Sequence, residues 1–229
     1  MFKYVIMGIQ GCGKGTQAKL LARDFNLVHI SVGDIFRWHI QSHTKLAARI
    51  ARVTAAGELV PDDSVEEIVR GRLDQHDWNF GFILDGFPRN RRQAEFFLES
   101  YDIDAVIQID VSDDMVFNRV MNRRLCSKCG LDYNLIFHRP AKEDSCDVCG
   151  GKLVARTDDT KEAVAARLAD YHAKTQPILD LFSRKELIVR VDGAQTPAEV
   201  QSAIREELGI SHKSPKSPRR GRELAATGA

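Results

Sequence analysis

The sequence predicts an α/β protein, a parallel sheet wrapped by helices with ligand chemistry at the carboxyl ends of the strands. Three observations carry this. Short apolar runs rich in β-branched residues alternate with longer helical patterns. Val5-Ile6-Met7 and Phe82-Ile83-Leu84 are continuously apolar, as central strands buried on both faces require. A chain of 229 residues can bury a substantial core, so one domain with one or two insertions is expected.

The expected strands are 4–7, 28–31, 81–85, 105–111 and 187–191. Between them, apolar periodicity predicts helices over about 15–25, 32–42, 44–56, 62–75, 90–99, 113–122, 160–183 and 197–208. Two regions break the alternation. Residues 31–60 hold two or three helices between strands, the pattern of a helical insert. Residues 124–159 show no clear helix and several Gly, Pro and Asp residues, which marks a second insert. The tail 211–229, with Ser-Pro-Lys-Ser-Pro-Arg-Arg-Gly-Arg, lacks apolar periodicity and is expected to be a disordered basic segment.

Composition narrows the function classes. Hydrophobic content of 43% and charged content of 28% are ordinary for a soluble enzyme. A net charge of +1 gives no global pull toward nucleic acid or membrane, so any anion must be bound by locally placed cations. The apolar run at the N-terminus is too short for a signal sequence, and no stretch approaches the ~20 apolar residues that span a bilayer. Together with cysteine usage this predicts a cytoplasmic protein.

The strongest local signal is Gly8-Ile9-Gln10-Gly11-Cys12-Gly13-Lys14-Gly15-Thr16, set between the first strand and a helix beginning near Lys14. It has P-loop spacing, with the usual Ser/Thr displaced by one so that Gly15 precedes Thr16. Glycines let backbone N–H groups turn inward around phosphate oxygens, the helix N-terminus adds partial positive charge, and Lys14 reaches the β/γ-phosphates. A glycine-rich turn that binds nothing would not need the lysine and threonine in register. Cys12 inside this loop has two readings: a small residue that packs, or a thiol whose pKa is lowered by the helix N-terminus and Lys14 and is therefore reactive.

Of five cysteines, four form two knuckles, Cys126-Ser127-Lys128-Cys129-Gly130 and Cys146-Asp147-Val148-Cys149-Gly150, with sixteen residues between them. This spacing is a tetrahedral zinc signal, and the glycine after each second cysteine suits a tight turn with N–H groups pointing at the thiolates. Two disulfides, a redox pair or an iron–sulfur site are the competing readings. Four thiolates leave zinc no open position, so the expected ion is structural and staples a segment too small for its own core.

With Ser31-Val32-Gly33-Asp34 after the second strand and Asp85-Gly86-Phe87-Pro88-Arg89 after the third, the chain resembles the adenylate kinases, and among them the bacterial type with a long lid and a four-cysteine zinc site. The resemblance runs from Met1 to about Ile210. It implies a P-loop three-layer fold with a five-stranded parallel sheet. Core segments would be 1–30, 61–122 and 161–210, with a monophosphate-binding insert at 31–60 and a lid at 123–160. It also implies reversible, Mg²⁺-dependent phosphoryl transfer from ATP to AMP giving two ADP, in a monomer without nucleic-acid or membrane partners.

The same resemblance assigns residues. Gly11, Cys12, Gly13, Lys14, Gly15 and Thr16 would bind ATP, with Arg119 stacking on adenine and Arg123, Asp132, Tyr133 and Gln195 nearby. The AMP side would comprise Val32, Arg37, Glu58, Leu59, Val60, Gly86, Phe87, Pro88, Arg89 and Gln93. Arg123, Arg156 and Arg167 would close on the transferring group, the last two also reaching AMP. Physics supports this division: in-line transfer asks mainly for positioning and charge neutralisation, and arginine forks bind phosphate oxygens bidentately. Arg123 and Arg156 flank the second insert, so its closure would bring charge onto the phosphates and exclude water. Asp85, ending an apolar strand, is the candidate to hold Mg²⁺ through its water shell. Asp34 is either a second magnesium candidate or a helix cap.

Specificity signals are mixed. Gln93 matches the glutamine with which adenylate kinases read adenine, its amide matching the N1 acceptor and N6 donor. Val32 and Asn90 stand where that family usually carries Thr, and both lean toward the uridylate–cytidylate kinases. Two other classes stay in view: a P-loop NTPase switch, and a zinc-ribbon nucleic-acid module with a basic tail.

Overall fold

The computed structural model describes residues 1–56, 58–156 and 158–210. The tail 211–229, expected to be disordered, lies outside the described residues. The chain begins with β1 (Lys3–Met7), α1 (Lys14–Phe25) and β2 (Leu27–Ser31), then α2 (Val32–Gln41), α3 (Ala47–Ala56), α4 (Asp62–Asp74) and β3 (Gly81–Asp85). There follow α5 (Arg91–Ser100), β4 (Ala105–Asp110), α6 (Asp113–Met121), and three short strands β5 (Arg123–Cys126), β6 (Asp132–Asn134) and β7 (Leu153–Val154). The remainder is α7 (Lys161–Asp170), a π-helical turn (Tyr171–Thr175), α8 (Gln176–Ser183), β8 (Ile188–Asp192) and α9 (Pro197–Glu207).

The main sheet is five-stranded, order β2-β3-β1-β4-β8, and every pairing in it is parallel. Its central strands β1, β3 and β4 are mainly apolar because helices cover both faces. The two-residue period of the pleat splits them into two cores. Val5, Met7, Phe82, Leu84 and Val106 pack with α4, α5 and α8 through Val69, Phe97 and Phe182. Tyr4, Ile6, Ile83, Ile107 and Ile109 pack with α1, α6, α7 and α9 through Leu21, Val116, Val164 and Ile204.

This layering positions the site. The helix after β1 (α1) lies on one face and the helix after β3 (α5) on the other, although the two strands are hydrogen-bonded neighbours. A crevice must open at their carboxyl ends, where Gly8–Gly13 leaves β1 and Asp85–Arg89 leaves β3.

Several expected boundaries shift by one to three residues. The expected helix 44–56 starts at Ala47, after a turn in which His43 takes φ 49°. The expected single helix 160–183 is continuous in path but widens into the π turn at Tyr171–Thr175. The segment without clear helix, 124–159, holds strands β6-β5-β7 in an antiparallel sheet around Cys126, Tyr133, Cys146 and Leu153.

Candidate active site

The loop after β1 is built by its glycines. Gly8, Gly11 and Gly13 take φ of 141°, 92° and 106°. A Cβ on Gly8 would stand 2.4 Å from the Ile109 carbonyl oxygen, and one on Gly11 would stand 2.6 Å from Val120 Cγ2. Gly13 caps α1 in the left-handed region with no side-chain cap bond, so the first N–H groups of that helix are left for a ligand. Lys14 Nζ donates to the carbonyl oxygens of Gly8 and Ile9, both at 2.7 Å. Its ammonium therefore sits over the mouth of the loop.

Cys12 is buried, and burial pushes its thiol pKa up despite Lys14 Nζ 3.8 Å from the sulfur. Desolvation outweighs the neighbouring charge, which favours the packing reading of Cys12 over the activated thiol.

Asp85 ends β3 nearly buried, 3.5 Å from His29 Nε2, and its Oδ2 would lie 3.6 Å from a Cβ on Gly15. It thus faces the loop, a hard-oxygen donor of the kind that suits magnesium. Asp34 does not cap α2. That role falls to Ser31, whose hydroxyl accepts from the Asp34 N–H, while the Asp34 carboxylate pairs with Arg37. Burial works against the Asp34 carboxylate, but Arg37 outweighs it and holds its pKa below the usual range.

Five arginines converge here. Arg89 donates from Nε to the Gly86 carbonyl oxygen at 2.8 Å. Burial lowers its pKa most; Arg167 and Arg37 lower it further, while Asp85 acts in the opposite direction. Arg156 is depressed first by burial and then by Arg123 and Arg37. Cations that depress one another are a set that an anion relieves. Their present partners are carboxylates: Arg123 forks onto Asp159 at 2.9 and 2.5 Å, Arg167 meets Asp158 at 2.7 Å, and Arg156 meets Asp132 at 3.2 Å. The Nε of Arg156 is buried without a partner among the described residues. Arg167 also donates to the Thr54 carbonyl oxygen at 3.0 Å, tying α7 to α3.

Asp158 and Asp159 escaped the sequence reasoning, which counted cations and not their counter-ions. The signal was an acidic pair two residues past Arg156. Lys19 was missed as well; it meets Asp132 at 3.0 Å and links α1 to the second insert.

The remaining expected residues divide. Arg119 bonds the Cys12 carbonyl oxygen at 3.2 Å with Phe137 over its guanidinium, 5.5 Å to the ring centroid. Phe137 carried no sequence signal. Thr16 and Gln195 are exposed, the latter in the turn before α9. Val32 and Val60 are buried, Leu59 is half-buried and Glu58 is exposed. Phe87 is buried against Phe97, and Gly86 takes φ 84° with Arg89 close behind it. Gln93 is only 2% exposed, with both ends of its amide hydrogen-bonded. Tyr133, expected beside ATP, instead lies in the cysteine core. Its hydroxyl donates to Cys146 Sγ at 3.5 Å and accepts from the Asp147 N–H at 2.8 Å; the bond to Cys146, with burial, raises its pKa to about 12. Its hydroxyl is thus engaged with the cysteine knuckle.

The four cysteine sulfurs lie within 4.8 Å of one another and no disulfide joins them. Zinc–sulfur bonds of about 2.3 Å in a tetrahedron need sulfurs just under about 4 Å apart, and the pairs Cys126–Cys149 and Cys129–Cys146 stand at 3.3 and 3.6 Å. Gly130 and Gly150 take φ of 70° and 66° and close each knuckle with a bond to the first cysteine's carbonyl oxygen. The N–H groups of Lys128 and Cys129 point at Cys126 Sγ, at 3.4 and 3.5 Å. The Tyr133 hydroxyl, helped by the Cys149 and Val148 N–H groups, lowers the Cys146 thiol to about 6. The donor set is compatible with zinc.

The P-loop, the aspartate facing it and the ring of arginines define a phosphoryl-transfer site on a P-loop sheet. Residues 6–187 match the model of the family described as Adenylate kinase. The chain is 42% identical over 213 residues to the adenylate kinase of Caldicellulosiruptor bescii, covering 91% of this chain and 99% of that one. It is 43% identical over 210 residues to that of Clostridium tetani, covering 90% and 97%. It is 44% identical over 210 residues to that of Bacillus licheniformis, with the same coverage. This chain belongs to the adenylate kinase family.

Proposed function

We propose that the chain transfers the γ-phosphoryl group of ATP reversibly to AMP, giving two ADP. The observation that carries this is the convergence of Arg37, Arg89, Arg123, Arg156 and Arg167 on the crevice that begins at the P-loop. One triphosphate needs one cradle; two facing anionic substrates need cations on both sides of the transferring group. In this reading residues 31–60 hold the monophosphate and 123–160 form the lid, on a core of 1–30, 61–122 and 161–210.

Each residue then has a task. The α1 N-terminus and Lys14 hold the ATP phosphates, Lys14 exchanging loop carbonyls for phosphate oxygens. Arg119, already covered on one face by Phe137, offers its other face to the base of ATP. Arg37 and Arg89 grip the AMP phosphate. Arg123, Arg156 and Arg167 release their aspartates to the transferring oxygens, where a developing charge is a better partner in a site closed to water. Magnesium, bound with ATP, would be held through water by Asp85 and would neutralise charge on the β- and γ-oxygens. Zinc on the four cysteines would hold the lid's shape without touching the phosphates. Free thiols, this zinc set and the charge balance favour a cytoplasmic protein without nucleic-acid or membrane partners, and a monomer is part of the same reading. Among the described residues no helix is long and apolar enough to cross a membrane.

A pyrimidine acceptor is the second reading, favoured by Val32 and Asn90. Asn90 has a local explanation, since its Oδ1 caps α5 by accepting from the Gln93 N–H at 3.0 Å. Val32 loses one neutral contact at most, about 0.5–1.5 kcal/mol. A coupled assay with AMP, UMP, CMP and GMP decides. AMP is expected to lead UMP and CMP by at least about tenfold in kcat/KM, and a faster pyrimidine would overturn the acceptor assignment.

A further inference from the structure

The Gln93 amide is held between two partners of opposite kind. Its Oε1 accepts from the backbone N–H of Arg89 at 2.8 Å, and its Nε2 donates to Asp62 Oδ1 at 2.7 Å. Amide orientation is often ambiguous, but here it is not. A backbone N–H can only donate and a carboxylate can only accept, so the reversed amide would set nitrogen against N–H and oxygen against carboxylate. Asp62 is itself fixed. It is the first residue of α4, where the helix favours an anion, and the same Oδ1 also accepts from Asn90 Nδ2 at 2.7 Å. Arg89 is held from the far side by the Thr175 hydroxyl, which donates to its carbonyl oxygen at 2.7 Å.

These bonds use one amide hydrogen and one amide lone pair, leaving one of each. Adenine offers N1 as acceptor and the N6 amino group as donor. A 6-oxopurine offers the reverse, N1–H as donor and O6 as acceptor. An amide of fixed sense pairs with one edge and meets the other like against like, whereas an amide free to turn over would serve both.

We propose that Asp62 is a specificity-determining positioning residue: together with the Arg89 N–H it locks the sense of the Gln93 amide and so excludes 6-oxopurine monophosphates such as IMP and GMP from the acceptor site. The inference rests on the proposed function, in which Gln93 reads the acceptor base. It adds a second consequence. Because Oε1 is bonded to the backbone of Arg89, base reading and phosphate binding share one rigid unit.

The test compares kcat/KM for AMP and IMP, which differ in the base only at this edge, on single preparations of the full-length chain. Asp62→Ala should lower the AMP-to-IMP ratio by at least about tenfold, since a site that pairs with a polar group rejects the mismatched analogue strongly only while its own groups are fixed. Asp62→Ser, whose hydroxyl can donate or accept, should lower it similarly and decides the matter if the alanine variant fails to fold. Asp62→Asn retains an acceptor oxygen for both donors and should keep most of the ratio. Gln93→Ala should collapse it. A purely structural role for Asp62 would reduce both substrates alike and leave the ratio unchanged; that result, with the ratio still lost in Gln93→Ala, overturns the inference while the base reading survives. An unchanged ratio in Gln93→Ala would overturn the base reading and this inference together.

Discussion

Lys14 spends its three donors close to home, two of them on the carbonyl oxygens of Gly8 and Ile9. That makes its replacement informative, because loop geometry and catalysis can be told apart. Lys14→Met should lower melting modestly, by the loss of charged hydrogen bonds of about 1.5–3 kcal/mol each at most. It should lower kcat by about a thousandfold, the scale of a removed preorganised charge in a closed site. Near-normal turnover in a variant with native circular dichroism would contradict the phosphate role. At this scale the sequence revealed attractive partners better than environments. Lys14, Asp85 and the arginines were legible because phosphate chemistry requires their type at their spacing. Cys12 was not, since whether a helix N-terminus or desolvation sets a thiol's pKa depends on burial, and burial of one loop residue follows from what packs over it. The Tyr133 environment was hidden for a related reason: nothing local shows that its hydroxyl turns toward Cys146.

The second insert shows what short elements depend on. Its three strands contribute only Cys126, Tyr133 and Leu153, with Cys146 and half-buried Leu131, to a core far too small to order a segment of this length. Under the proposed function, a metal on the four cysteines would therefore supply folding energy here. Chelation in native buffer should lower the melting temperature and raise hydrogen exchange across 124–159, while β1, β3 and β4 keep their protection. Activity should survive in part when cold. Metal analysis that finds neither zinc nor a substitute ion such as iron would contradict the site. The knuckles themselves were legible, because cysteine spacing and trailing glycines are local. The antiparallel pairing β6-β5-β7 was not, since strands of two to four residues carry too little alternation to register. The π turn at Tyr171–Thr175 was equally silent: an extra residue in a helical turn leaves the apolar periodicity almost intact.

For the whole molecule, one topological fact does most of the positioning. Adjacent strands β1 and β3 send their following helices to opposite faces, so the crevice, the P-loop and Asp85–Arg89 coincide. The parallel sheet could be anticipated from doubly buried apolar strands. The strand order could not be read from the residues alone, because crossovers leave no local mark. The arginine cluster also includes a long-range tie from Arg167 to the Thr54 carbonyl oxygen, 113 residues apart in sequence. The proposed function requires these cations to be arranged for a second phosphate and against water. It is tested most directly by following ATP with and without AMP in the presence of magnesium. ADP should form at two per ATP consumed when AMP is present, and phosphate release should be slower by at least about a hundredfold when it is absent. Release of phosphate from ATP alone at a comparable rate, unaffected by AMP, would contradict it.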